Sequence, residues 1–151
     1  MAGIYTINHN AIVVSTAITI IQYQAGAANK ARVVRFSIGQ GLSETSTMEQ
    51  IQLLRKSAAA TVTSFTPLKN DPDAPVAFGA GGTAATGITA TAEGTDTDIL
   101  INEAFNTLNG FAWVRSDINE IMVPAGGIIA IKFPVAPASA TWRASLVIEE
   151  L

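Results

Sequence analysis

The side chains able to do chemistry are few. The chain has one histidine, His9, and no cysteine. A Ser-His-Asp triad would have to be built on His9, yet this residue lies between Asn8 and Asn10 at a break in strand-like sequence and reads as a turn residue. One imidazole cannot furnish the several histidines of a transition-metal jelly roll. Without cysteine there is no thiolate ligand, thiol nucleophile or disulfide framework. Carboxylates gather in Asn70-Asp71-Pro72-Asp73 and in Asp96-Thr97-Asp98. Neither has the spacing of a calcium loop with its distal bidentate glutamate, so both read as Asx-turn chemistry in exposed loops. Glu149-Glu150 would serve as a paired acid and base only if both faced one way. Neighbours on a strand point to opposite faces, which makes them a solvated rim.

Two further groups invite a binding role. Gly79-Ala80-Gly81-Gly82 has the look of a phosphate loop, but no Lys-Ser/Thr follows it and no helical pattern succeeds it. Flexibility is enough to account for these glycines. Trp113 and Trp142, with Phe105, Phe111 and Phe133, could line a sugar platform; in a sandwich such rings mostly fill the core or an interface. The inventory therefore argues against an enzyme and implies no metal and no cofactor.

The elements that would position these residues are strands. Ile4 to Ile7 and the long run Ala11 to Gln24 are rich in β-branched and aromatic residues. After the small-residue break Ala25 to Lys30, alternation over Ala31 to Gln40 sets Val34, Phe36 and Ile38 against Val33, Arg35 and Ser37. Met48 to Lys56 can be drawn as helix or strand, and its alternating Gln50 and Gln52 favour the strand. Val62 to Phe65 is β-like. Three prolines between Pro67 and Pro75 exclude regular structure there. The Thr/Ala alternation from Gly87 to Glu93 suits a flat strand. Asp98 to Phe105 and Gly110 to Arg115 read as a strand pair around Asn106 to Asn109, and Ile118 to Val123 leads to the turn Pro124 to Gly127. The closing runs Gly126 to Pro134 and Ala140 to Leu151 flank a Pro/Ala/Ser turn. The last must lie inside a sheet, with Trp142, Leu146 and Ile148 on its core face, because so apolar an edge would recruit other chains. About nine to ten short strands at this spacing predict one all-β domain, a jelly-roll-like antiparallel β-sandwich over residues 1–151, with a Pro-rich and Gly-rich excursion at 66–87.

Composition narrows the partners. Of the residues, 48% are hydrophobic and 14% charged, against a usual charged share of about 25%. Such a surface is either unusually uncharged or covered by something. A net charge of −3 offers no basic field for phosphates, so nucleic acid is not expected. The stretch Ala11 to Ile21 is interrupted by Ser15, Thr16 and Thr19 and is too short for a bilayer span. No membrane partner is expected, and the N-terminus lacks the basic region of a signal peptide.

Met48-Glu49-Gln50-Ile51-Gln52-Leu53-Leu54-Arg55-Lys56, the Pro-rich Thr66 to Pro75, Glu103-Ala104-Phe105-Asn106, and Val135-Ala136-Pro137-Ala138 leading into Trp142 to Leu151 together span about two thirds of the chain. In style and order these stretches resemble the capsid decoration, or cement, proteins of tailed bacteriophages. The resemblance implies a jelly-roll or related β fold and a homo-oligomer, a trimer above all. It also implies a place on the outside of the virion capsid, with synthesis in the host cytoplasm and the major capsid protein as partner. No motif transfers a functional residue. Long irregular loops carry function more often than cores do, so Pro67, Leu68, Lys69, Asp71, Pro72, Pro75 and Phe78 are the expected partner contacts. The rival expectation is a receptor- or carbohydrate-binding sandwich, such as a fibre tip, which calls for an exposed aromatic cluster.

Overall fold

The computed structural model describes residues 3–41, 46–75, 77 and 85–151. Twelve strands and no helix occur among them. They are β1 (Gly3–Val14), β2 (Thr19–Gln24), β3 (Ala31–Gln40), β4 (Met48–Ala58), β5 (Thr61–Ser64), β6 (Leu68–Lys69), β7 (Gly87–Ala92), β8 (Thr95–Asn106), β9 (Phe111–Val114), β10 (Ile121–Val123), β11 (Ile128–Lys132) and β12 (Ala140–Glu150). Two antiparallel sheets result. The first runs β10-β3-β12-β1-β6, with β9 sharing the outer edge of β3; the second runs β5-β7-β2-β11-β4-β8. The chain is an antiparallel β-sandwich.

The period-2 pattern decides which side chains meet between the sheets. On β12 the residues Trp142, Ala144, Leu146, Ile148 and Glu150 are buried and their neighbours less so. They face Tyr5, Ile7 and His9 of β1 and pack onto Ile21, Tyr23, Ile51, Leu53, Ile129 and Ile131 of the second sheet. Trp142 sits at the centre of an aromatic cluster, 5.0 Å from the Phe133 ring and 6.0 Å from Phe105, the latter edge-on at 78°. The strand expected to be central lies between β1 and β3, with both edges paired.

Strands β4 and β5 are separated by Ala59-Ala60, and β7 and β8 by Glu93-Gly94. Because β4 pairs with β8 and β5 with β7, the four form one long ribbon with a corner. The corner lies over β2: Gln22 Nε2 donates to Ala60 O at 3.2 Å and to Ala85 O at 2.8 Å, and Ala60 N donates to Gln22 Oε1 at 2.9 Å. Thr19 to Tyr23 are accordingly buried on both faces of their strand. A side chain at Gly94 would collide with the backbone of Ala58 and Ala59, so the corner needs glycine there.

Several sequence expectations change. The run Ala11 to Gln24 is two strands, because the chain crosses between sheets at residues 15–18. Val33 faces the core and Val34 is the extra residue of a bulge, since Ile148 pairs with Val33 and Val147 with Arg35; a bulge resets alternation in a way composition does not announce. The segments 98–105 and 110–115 do not pair with each other. Strand β8 pairs with β4 and β9 with β3, so Asn106 to Gly110 carries the chain from one sheet to the other. The Met48 segment is a strand, as the glutamines suggested.

Candidate functional site

The Pro-rich excursion is stitched to the free edge of β1. Contrary to the expectation from its prolines, Leu68 and Lys69 form a short strand opposite Thr6 and Tyr5. Prolines restrict a strand without forbidding an edge one. Asn70 N then donates to Ile4 O at 2.9 Å and Thr6 Oγ1 to Asn70 Oδ1 at 2.7 Å. Asp71 Oδ1 accepts from Asp73 N at 3.0 Å, the Asx turn expected of this sequence. Tyr5, buried in the core, reaches out to give its hydroxyl proton to Pro75 O at 2.8 Å.

Of the expected contact residues, Leu68, Lys69, Asp71 and Pro72 are exposed on this excursion and Pro75 is half-buried. Pro67 is buried, so its ring packs into the fold and is not offered to a partner. Phe78 and the glycines 79–82 lie outside the described residues. Beside the excursion runs a groove of about 620 Å³ bordered by Ile4, Asn70, Asp71, Asp73 and Glu149.

His9 is corrected from a turn residue to a fully buried member of β1, with Nδ1 3.2 Å from Trp142 O. The irregularity that the flanking asparagines signalled comes just after it, between His9 and Ile12. Burial pushes its pKa below the ordinary value. Glu150 is likewise no solvated rim: it is buried, and its Oε1 accepts the Tyr23 hydroxyl at 2.8 Å. Burial and this carboxylate raise the Tyr23 pKa well above the usual phenol. Glu149, on the opposite face, accepts from Arg32 Nε at 2.7 Å.

Asp96 is on a strand instead of an exposed loop, within an ion network that the sequence reading missed. Lys56, its side chain wholly buried, donates to Glu93 Oε2 at 2.9 Å and Asp96 Oδ1 at 2.5 Å. Lys132 donates to Asp96 Oδ2 at 2.6 Å. Glu93 also accepts from the Thr19 amide and hydroxyl, at 2.5 and 2.8 Å. Burial alone would raise both carboxyls; the Thr19 amide and Lys56 at Glu93, and Lys132 and Lys56 at Asp96, outweigh it and hold both below their usual range. The network ties four strands and the ribbon corner together, with each charge committed to another. One signal was present in the sequence. Leu53 and Leu54 are adjacent and apolar, so both faces of β4 had to be covered, and Lys56 shares the face of Leu54.

The aromatics divide. Trp142, Phe105 and Phe133 are buried, whereas Trp113 and Phe111 are half-buried on β9, the Phe111 ring lying 5.4 Å from that of Phe36 and tilted 46° to it. A groove of about 420 Å³ runs past Phe111, Asn109 and Ser37. Among the described residues no cluster of three metal-ligating side chains occurs and no helix is long and apolar enough to cross a membrane. No protein-family model, curated protein or solved structure matches this chain.

Proposed function

We propose that this chain is a non-enzymatic structural protein of a tailed-bacteriophage head. In this reading it is a decoration or cement protein that binds the outside of the shell as a homo-oligomer, most simply a trimer, and adds contact between major capsid subunits. The observation that carries the reading is the Pro-rich excursion. It presents Leu68, Lys69, Asp71 and Pro72 outward while a strand ladder, an Asx turn and the Tyr5 hydroxyl hold it in place. A contact element fixed in advance loses little entropy on binding. The strand order supports a jelly roll, an architecture used by capsid and lectin domains: β1, β12, β3 and β10 in one sheet, β2, β11, β4 and β8 in the other, with successive strands of this framework mostly crossing between them. Binding to an assembled shell and not to its separated subunits stabilises the shell by mass action.

The test is whether the protein co-purifies stoichiometrically with virus particles, and whether Leu68→Asp with Pro72→Ala releases it while its own unfolding temperature is unchanged. Absence from purified particles, with no effect on their heat or salt resistance, would overturn the reading. The carbohydrate-binding alternative keeps one supporting feature, the groove beside Phe111. Glycan retention abolished by Phe111→Ala would favour it.

A further inference from the structure

The outer face of the first sheet carries a row of small polar side chains. Ser145 of β12 stands opposite Asn8 of β1 on one side and Ser37 of β3 on the other, and Ser37 stands opposite Ala112 of β9. Two residues along the strands in one direction Arg143 is opposite Gly39, and two residues in the other Val147 is opposite Arg35. Arg143 and Arg35, both exposed, therefore bracket the row, about 13 Å apart along the strands. Gly39 leaves a gap in it, for a Cβ there would meet nothing within 4 Å. The result is a groove of about 340 Å³ bordered by Asn8, Asn10, Ser37, Gly39, Arg143 and Ser145. It shares Ser37 and Gly39 with the groove beside Phe111, so the two together cross β1, β12, β3 and β9.

The polar groups of this groove are uncommitted. Among the described residues, the side chains of Asn8, Asn10, Ser37, Ser145, Arg143 and Arg35 make no hydrogen bond and no ion pair. Elsewhere on the same sheet such groups are taken. Thr6 Oγ1 donates to Asn70 Oδ1 at 2.7 Å, and Arg32 holds Glu149 and Glu120, each at 2.7 Å. Among the described residues, Glu149 and Glu150 are the only acids on the strands of this sheet, and Glu150 is turned into the core. Glu44, in the connection after β3, lies outside the described residues. The Arg143 arm lies across Gly41, where a Cβ would come within 3.2 Å of its Nε.

We infer that this groove binds an acidic glycan, its carboxylates at Arg143 and Arg35 and its hydroxyls at Asn8, Ser37 and Ser145. The inference is independent of the capsid reading and shares no residue with the Pro-rich excursion. Charge complementarity names the ligand's carboxylate, because a guanidinium without an acid beside it is matched by one. The row names the rest of the ligand. Serine hydroxyls and asparagine amides both donate and accept, as sugar hydroxyls do. An extended acidic peptide finds no open ladder here, since β12 and β3 are interior strands with both edges paired. Two arginines on a chain of net charge −3 are too few for the phosphates of a nucleic acid.

Native affinity electrophoresis is the test, in gels carrying polygalacturonate, alginate or polysialic acid. The reference gels carry dextran, fully methyl-esterified polygalacturonate or polyphosphate. The wild-type chain is expected to be retarded by at least one of the acidic glycans, less so as salt rises. The esterified polymer, which keeps the sugar and loses the charge, should not retard it. Arg143→Gln is expected to raise the dissociation constant about tenfold or more. Gly39→Leu, which fills the gap, is expected to abolish retention, and both variants to keep the wild-type unfolding temperature. Lys69→Gln, which removes a cation from β6, should leave retention unaltered. No retardation in any acidic-glycan gel, equal retardation by dextran or the ester, or stronger retardation by polyphosphate would overturn the inference. So would indifference to both Arg143→Gln and Gly39→Leu. The two readings fail separately. A chain retarded by an acidic glycan but absent from particles removes the capsid reading alone, and a chain that binds particles but is retarded by none removes this inference alone.

Discussion

The Tyr23 hydroxyl on β2 donates to Glu150 Oε1 on β12 at 2.8 Å, joining the two sheets through a buried carboxylate. Hydrogen bonds to charged groups contribute about 1.5 to 3 kcal/mol. Tyr23→Phe should therefore lower unfolding stability by about that amount. Glu150→Leu together with Tyr23→Phe should cost less than the two single changes added, because the buried charge and its donor leave together. Denaturant titrations of the four proteins measure the coupling, and strict additivity would show the bond contributes nothing of its own.

The ion network should make the fold acid-labile. Glu93 and Asp96 have folded-state pKa values below their ordinary 4.5 and 3.8. Their stabilisation is complete above the ordinary carboxylate values and is lost as pH falls through the depressed ones. Lys56→Met should cost about 1 to 3 kcal/mol at neutral pH, since both carboxylates are partly open to water, and should flatten the acid limb of the stability curve. An acid limb as steep as wild type in this variant would remove the network as its cause.

His9 acts at higher pH. Its folded-state pKa lies below the ordinary 6.5, so the fold holds the neutral imidazole. Stability attributable to it is intact above pH 6.5 and falls as pH drops from there toward the folded value. The chain has one histidine, so a slope in this window belongs to His9, and one proton corresponds to about 1.4 kcal/mol per pH unit. His9→Leu should abolish the slope between pH 6.5 and the carboxylate range. Denaturation midpoints at half-unit pH steps would reveal whether it persists.

Gly94→Ala should destabilise by about 1 to 3 kcal/mol, because the added methyl meets the Ala58 and Ala59 backbone and the corner has to open. Gly39→Ala, where a Cβ meets nothing within 4 Å, is the matching control. Equal stability losses at the two positions would mean that the corner tolerates a side chain.

Trp142→Ala should cost about 3 to 5 kcal/mol, as expected for a large ring removed from a filled core. A loss below about 1 kcal/mol, measured by denaturant unfolding, would contradict its burial among Phe105 and Phe133.

Strand identity was legible because β-branched and aromatic residues alternate across most of the chain; the core face of Trp142, Leu146 and Ile148 follows from that alternation alone. What was not legible depends on partners distant in sequence. The pairing of β8 with β4 instead of β9 is set by which sheet each strand joins, and the intervening turn Asn106 to Gly110 looks the same in a hairpin as in a crossover. Glu150 reads as solvent-facing because charge normally is, and Tyr23, which accompanies its burial, lies 127 residues away; the carboxylates that hold Lys56 lie 37 and 40 residues from it and leave no local signal. The Pro-rich segment is legible as an excursion, whereas its attachment to β1 is not, since a two-residue ladder leaves no periodic trace.

The position of β12 between β1 and β3 has a consequence for synthesis. The first sheet lacks its central member until residues 140–150 have left the ribosome, so the facing edges of β1 and β3 wait unjoined until then. Closure is thus a late event, and pairings this distant in sequence are slow to form. Chains stalled at residue 139 should remain protease-sensitive however long they are held, and addition of the last strand should convert them to the resistant form in one step. Until that moment the nascent chain carries two open templates for another copy's strand, and crowding on a polysome is where misassembly has its opportunity.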